Sequence, residues 1–150
     1  FLHNDYLWPM TIVGRDGQNL RDQWGIEPTA YLGITIPNFP NLFCLYGPGT
    51  NLAHGGSLIF QSECQVNYIM DGLRLLLTGG HRTMEPKADV HDAYRKYYEN
   101  EIGQMIWAHW SVKHSHYKNR EGRVYTLSPW PIPTYWTWTK RVEPAEYVFD

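Results

Sequence analysis

The 150-residue sequence predicts an α/β chain, and three linked observations carry that reading. A continuous apolar run, LFCLY over 42–46, suits a strand buried on both faces, as in a parallel sheet. A glycine- and proline-rich bend, GPGTNLAHGG over 47–56, follows directly. After the bend the period changes: Leu58, Ser62, Val66, Ile69, Leu73 and Leu77 recur every three or four positions, the spacing of one helix face. Strand, bend and helix form one unit, and a helical, aromatic-rich C-terminal stretch completes the fold class.

Taken in order, residues 10–13 form a short β-prone run, and GRDG after them supplies turn chemistry, because Asp16-Gly17 favours positive φ. The segment 31–36 reads as a second short strand closed by Pro37, and PNFPN over 37–41 is a loop because two prolines sustain neither ladder nor helix. The long helix is expected over 57–78, with Gly79 and Gly80 as its stop. A second helix is expected from an Asp89 N-cap to about Ala108, on the spacing of Val90, Tyr94, Tyr97, Ile102, Met105 and Ile106. Residues 115–127 predict a hairpin turning at 119–122. The stretch SPWPIPTYWTWT over 128–139 is broken by prolines and reads as an irregular tail draped over a neighbouring surface. Two parts follow from these elements, 1–85 and 86–150.

Composition narrows the function classes. A net charge of −2, 19% charged and 43% hydrophobic residues describe a folded globular chain. No basic surplus argues for nucleic acid, and no apolar run approaches the ~20 residues of a membrane span. Cys44 and Cys64 read as reduced, buried thiols of a cytoplasmic protein. The chain begins at Phe1 and reads as a piece of something longer. Aromatic residues are in excess, with 7 Trp, 11 Tyr and 5 Phe, and packing is their expected role. This holds also for the cluster Tyr94, Tyr97 and Tyr98. His91, His109, His114 and His116 match no common zinc spacing, so no metal is expected. Glu63 reads as a solvated helix charge, and His54, inside the bend, as a pocket-lining or loop-packing residue rather than a proton carrier.

The bend itself has two readings. Glycines at 47, 49, 55 and 56 let a ligand approach the unpaired N–H groups and positive end of the following helix. They equally suit a tight structural turn. Neither phosphate signature is present, since G-x-G-x-x-G fails at Leu52 and no G-x-x-x-x-G-K-[ST] occurs.

The stretch FPNLFCLYGPGTNLAHGGSLIFQSEC resembles the C-terminal region of flavin-dependent Baeyer–Villiger-type monooxygenases, most of all the 4-hydroxyacetophenone monooxygenase subgroup. The resemblance continues through PMTIVGRDGQNLRDQW and YLGITIPNFPNLF upstream, and through VHDAYRKYYENEIGQMIWAH, YKNREGRV and SPWPIPTYW downstream. It implies that 1–85 closes a Rossmann-like FAD-binding domain and that 86–150 is a C-terminal extension. It implies FAD and NADPH as cofactors of a longer parent enzyme, with a C4a-peroxyflavin inserting oxygen beside the carbonyl of a ketone, including aryl ketones. Gly49, Thr50, Asn51, Gly56 and Ser57 would face the flavin, and Leu52, Ala53 and His54 would line the substrate pocket. No catalytic residue is assigned, because the glycine fingerprints and the arginine that relatives use beside the flavin are absent here. The chain alone is expected to be inactive, to hold neither cofactor, and to self-associate through its unpaired strand or aromatic tail. Relatives commonly carry Trp-Tyr where His116-Tyr117 stands, and Pro131 and Pro133 are also unusual, which touches the pocket details. A non-catalytic aromatic-rich binding or interaction module is the alternative.

Overall fold

A computed structural model describes residues 6–52, 55–113, 115–119 and 121–150. Ala53 and His54, both expected to line the pocket, lie outside the described residues, as does His114.

The first forty residues hold more turns than strands. Residues 10–13 contribute a single bridge, Val13 to Asn19, around a 3-10 turn at Arg15–Gly17. Asp16 and Gly17 take positive φ there, as the GRDG signal requires. Helix α1, Leu20–Trp24, follows with Asn19 accepting the Arg21 N–H. It is too short to leave a periodic signature. The expected strand over 31–36 is instead a tight reversal: Leu32 and Gly33 adopt φ of 52° and 71°, so Tyr31 bridges Thr35 four residues on. Its apolar residues are nevertheless core, with Leu32, Ile34 and Ile36 buried.

The expected buried strand over 42–46 is corrected in the same way. Phe43 bridges Thr35 and the Cys44 N–H donates to Ile34 O, but positive φ at Asn41 and Tyr46 caps the extended run at both ends. Leu45 and Tyr46 are exposed. The regular pairing lies further on: β1, Asn51–Leu52, runs parallel to β3, Leu127–Ser128. Likewise β2, Met84–Pro86, runs antiparallel to β4, Tyr147–Phe149.

Helix α2, Leu58–Gly79, fulfils the expected span, with Ser57 capping the Phe60 N–H and Gly80 in the left-handed conformation at its end. Its buried face is not the expected one. Gln61, Cys64, Gln65, Tyr68, Gly72 and Leu76 point inward. The predicted apolar stripe at 58, 62, 66, 69, 73 and 77 is displaced from them by about one residue, a rotation of ~100°. Hydrogen bonding explains how a polar face can be buried. The Gln65 amide accepts from Tyr46 N–H and donates to Tyr135 Oη, while Tyr68 Oη joins Tyr147 Oη, which joins Thr35 Oγ1.

Helix α3, Ala88–Gln104, has its N-cap at Lys87, two residues before the expected Asp89, which sits instead in the first turn. The helix gives way at Met105 to a 3-10 turn, Ile106–Ala108. The hairpin turn forms where expected, with Lys118 bridging Val124 and Asn119 Oδ1 accepting the Glu121 and Arg123 N–H groups. The supposed irregular tail is in fact helix α4, Ile132–Trp138. Its prolines sit at the helix start, where their missing N–H groups cost nothing. Trp130 and Tyr135 are core residues, and Trp130 packs against Tyr94, Tyr97, Tyr98 and Trp138. One buried cluster joins Tyr31, Leu32 and Ile34 to Tyr68, Met84, Val142 and Tyr147. The C-terminal residues therefore close the core begun by the first forty.

Candidate functional site

The site grows out of the bend between β1 and α2. Thr50 is fully buried, and its hydroxyl donates to Gly47 O at 2.7 Å, which tightens the turn from within. Gly49, with φ of 76°, lies so close to the Tyr98 ring that a Cβ would sit 2.9 Å from it. Tyr98 Oη in turn donates to Leu127 O in β3. Asn51 is half-buried: its N–H donates to Thr126 O, and its Oδ1 accepts from Tyr46 Oη at 2.5 Å. Leu52, also half-buried, pairs with Ser128.

Gly56 and Ser57 sit at the exposed mouth of the bend. Gly56 has φ of 122°, and a Cβ there would lie 2.1 Å from Ile132 Cδ1. Its small size therefore seats the bend on α4 rather than opening a cradle. Ser57 Oγ accepts the Phe60 N–H. The Leu58 and Ile59 N–H groups, at N1 and N2, have no place in the intrahelical ladder and face the exposed side at the positive end of a 22-residue helix.

Structure thus divides the five candidate flavin contacts. Gly49 and Thr50 shape the turn from inside, Asn51 is half-buried, and Gly56 and Ser57 stand at the surface beside the helix N-terminus. Sequence reasoning passed over two further residues. Gln61, in the first turn of α2, is 2% exposed, yet neither its amide nitrogen nor its oxygen has a hydrogen-bond partner among the described residues. Ser128, 1% exposed and paired with Leu52, has an equally unpartnered hydroxyl. A helical side chain leans toward the helix N-terminus, which carries Gln61 toward the bend. Each unpaired buried group costs about 1–3 kcal/mol, so each calls for a structural or functional reason. A lone Gln between Phe60 and Ser62 carries no motif, so nothing in the sequence flags it.

Such a site suits a flat ligand with a carbonyl or anionic edge. Helix N–H groups stabilise negative charge, and an amide can donate and accept at once. Among the described residues no general acid or base converges on it. Glu63 is exposed, and His91 lies elsewhere, its Nε2 3.2 Å from Thr29 Oγ1 and its Nδ1 3.2 Å from Asp92. Burial holds the His91 imidazole below its ordinary value, partly offset by Asp92. The two thiols are free and buried. Burial pushes Cys44 up to about 11 and also raises Cys64, so neither is an activated nucleophile. Among the described residues no group of three or more His, Cys, Asp or Glu side chains is gathered to hold a metal. No helix there is long and apolar enough to cross a membrane.

No family model matches the chain. Individual relatives do. An uncharacterized monooxygenase of Sinorhizobium fredii is 36% identical over 143 residues, which is 95% of this chain and 22% of the relative. A Baeyer–Villiger monooxygenase of Pseudomonas aeruginosa is 36% identical over 131 residues, 87% of this chain and 24% of its own length. Among solved structures, an oxidized steroid monooxygenase bound to NADP shares the fold with a TM-score of 0.77 at 24% identity, covering 93% of this chain and 26% of that one. A cyclohexanone monooxygenase from Rhodococcus sp. Phi1, bound to NADP+, gives 0.65 at 20% identity, over 93% of this chain and 27% of that one. The fold is thus a mixed α/β piece of the flavin-monooxygenase kind. Over nearly its whole length the chain is a homologue of Baeyer–Villiger and FAD-binding monooxygenases, and it spans about a quarter of the length of those relatives.

Proposed function

We propose that this chain is the C-terminal part of an FAD- and NADPH-dependent monooxygenase that inserts one oxygen atom beside a ketone carbonyl. In this reading 1–85 closes the FAD-binding domain and 86–150 is an extension packed against it. The observation that carries the proposal is the pairing of an exposed α2 N-terminus with two buried, unpartnered polar side chains, Gln61 and Ser128, in a chain whose relatives are such enzymes.

The residues present fit a flavin edge. The Leu58 and Ile59 N–H groups, with Gly56 and Ser57 beside them, would face its carbonyl-bearing pyrimidine side. The Gln61 amide would find partners there, while Thr50 and Gly49 hold the turn in shape. Asn51 would stand at the margin of the same contact. Leu52, Ala53 and His54 would form part of the substrate pocket wall. A flavin held there would supply the two-electron redox chemistry that links NADPH to dioxygen. The balance is ketone plus O2, NADPH and a proton giving ester, water and NADP+. The chain's own share is binding and orientation: helix N–H groups favour the charged form of the reduced ring without proton transfer. Aryl ketones, as in the 4-hydroxyacetophenone subgroup, are the substrate class we assign.

The test is the full-length parent, purified and titrated. One FAD per chain, bleached by NADPH and restored by oxygen, is the expected result. A colourless parent that ignores added FAD would overturn the reading. The binding-module alternative has less support, since Trp130 and Tyr135 are core residues rather than an open platform.

A further inference from the structure

Helix α2 carries its apolar stripe on the outside. Ile59, Val66, Met70, Leu73 and Leu77 are all exposed, Leu77 by 84%, and they fall at spacings of seven, four, three and four. Those intervals put them on one face of the helix. Single exposed apolar residues are ordinary, but a contiguous stripe marks a surface that something covers. An open groove of about 830 Å³ runs along its C-terminal half, floored by Met70, Leu73 and Leu77 and rimmed by Arg74, Lys140 and Arg141. Arg74 is held by Asp71 at 2.6 Å, and Lys140 stacks on the Trp136 ring at 3.6 Å. Lys140 forms no ion pair among the described residues, while Arg141 lies within the field of Asp71, a carboxylate that also lines the groove and already serves Arg74.

We infer that this outer face of α2 docks an apolar, carboxylate-bearing surface supplied by the same polypeptide outside these 150 residues. The inference rests on the function proposed above, which makes this chain part of a longer enzyme. Two observations choose the occupant. The chain spans 18–26% of the length of its curated relatives and 26% of the steroid monooxygenase, so a far larger body of protein accompanies the equivalent segment in each. The rim cations choose its charge. A second copy docked about a two-fold axis through the groove would bring Lys140 and Arg141 toward their own counterparts, which opposes association. A partner surface with carboxylates would pair them at the edge of an apolar contact.

The direct test is thiol labelling of the full-length parent carrying Leu77→Cys, beside a control carrying Lys96→Cys on the exposed side of α3. Cys44 and Cys64 are buried with raised thiol values and contribute little background. Maleimide reaction at position 77 is expected to be slower than at 96 by about tenfold or more, since labelling must await local opening. Equal rates would overturn the inference. Protection that disappears on dilution would overturn it too, because it would assign the face to a second copy. FAD content and NADPH-dependent ketone oxidation, measured on the same preparation, separate the two claims. Free labelling in a flavin-loaded, active enzyme sinks the docking face alone, whereas protection without flavin or turnover sinks the proposed function alone. A charge readout serves as a second variant: Arg141→Glu should lower the melting temperature of the parent while Lys96→Glu leaves it unchanged, and equal melting temperatures would count against the rim pairing.

Discussion

Gln61→Met is the most informative single substitution. Methionine nearly matches glutamine in length and shape but brings no polar group into the site. In the chain by itself both amide atoms of Gln61 are buried and unpartnered among the described residues. Removing them should therefore relieve an uncompensated desolvation cost of about 1–3 kcal/mol. For a domain of this size that corresponds to a rise in melting temperature of roughly 2–4 °C per kcal/mol, or about 4–8 °C for a central value of 2. In the full-length parent the same change should act in the opposite direction on the cofactor. A flavin that satisfies the amide loses those hydrogen bonds, and its Kd should rise about tenfold, equivalent to ~1.4 kcal/mol. Thermal melts of the chain by circular dichroism and FAD titration of the parent give the two numbers. If the substitution destabilises the chain, Gln61 already has a partner within it, and the reasoning that links this residue to the flavin fails.

Three further outcomes follow from the geometry. Ser57→Ala should cost about 1 kcal/mol of stability by removing the α2 cap, visible as a lower urea midpoint with an unchanged slope. Gly56→Ala should cost roughly 2–4 kcal/mol, from positive φ and a Cβ driven against Ile132, and a second change, Ile132→Ala, should return part of that loss in a double-mutant cycle. The pH dependence has a defined sign at His91. Its folded value is depressed, so the unfolded chain binds the proton more readily, and stability should fall as pH drops below the ordinary histidine value near 6.5. Denaturant melts between pH 7.5 and 5 should show this slope, and His91→Gln should flatten it.

How far the sequence carried the fold depended on the source of each signal. The α2 span was legible from both ends, because Ser57 and Gly80 are local chemistry. Its orientation was not. The period of apolar residues reports which face meets apolar surroundings in the whole protein, and here the inward face is secured by hydrogen bonds of Gln65 and Tyr68 instead. The same limit explains 42–46: its apolar character is real, but positive φ at Asn41 and Tyr46 ends the extended run. Around Pro131 and Pro133 the local sequence suggests a break, because proline disrupts a helix interior, whereas here both prolines stand at a helix start. At the site, the glycine bend was visible, whereas the reason for its glycines was not. Gly49 and Gly56 yield to Tyr98 and Ile132, contacts made across long stretches of chain. Gln61 and Ser128 could be found only once burial and missing partners were known.

The most direct test of the account is the fate of dioxygen in the full-length parent. With isotope-labelled oxygen gas, NADPH and an aryl ketone, the account predicts an ester carrying one labelled atom, with one NADPH consumed per ester formed. NADPH consumption with no labelled product, or an unchanged ketone at full flavin occupancy, would contradict it.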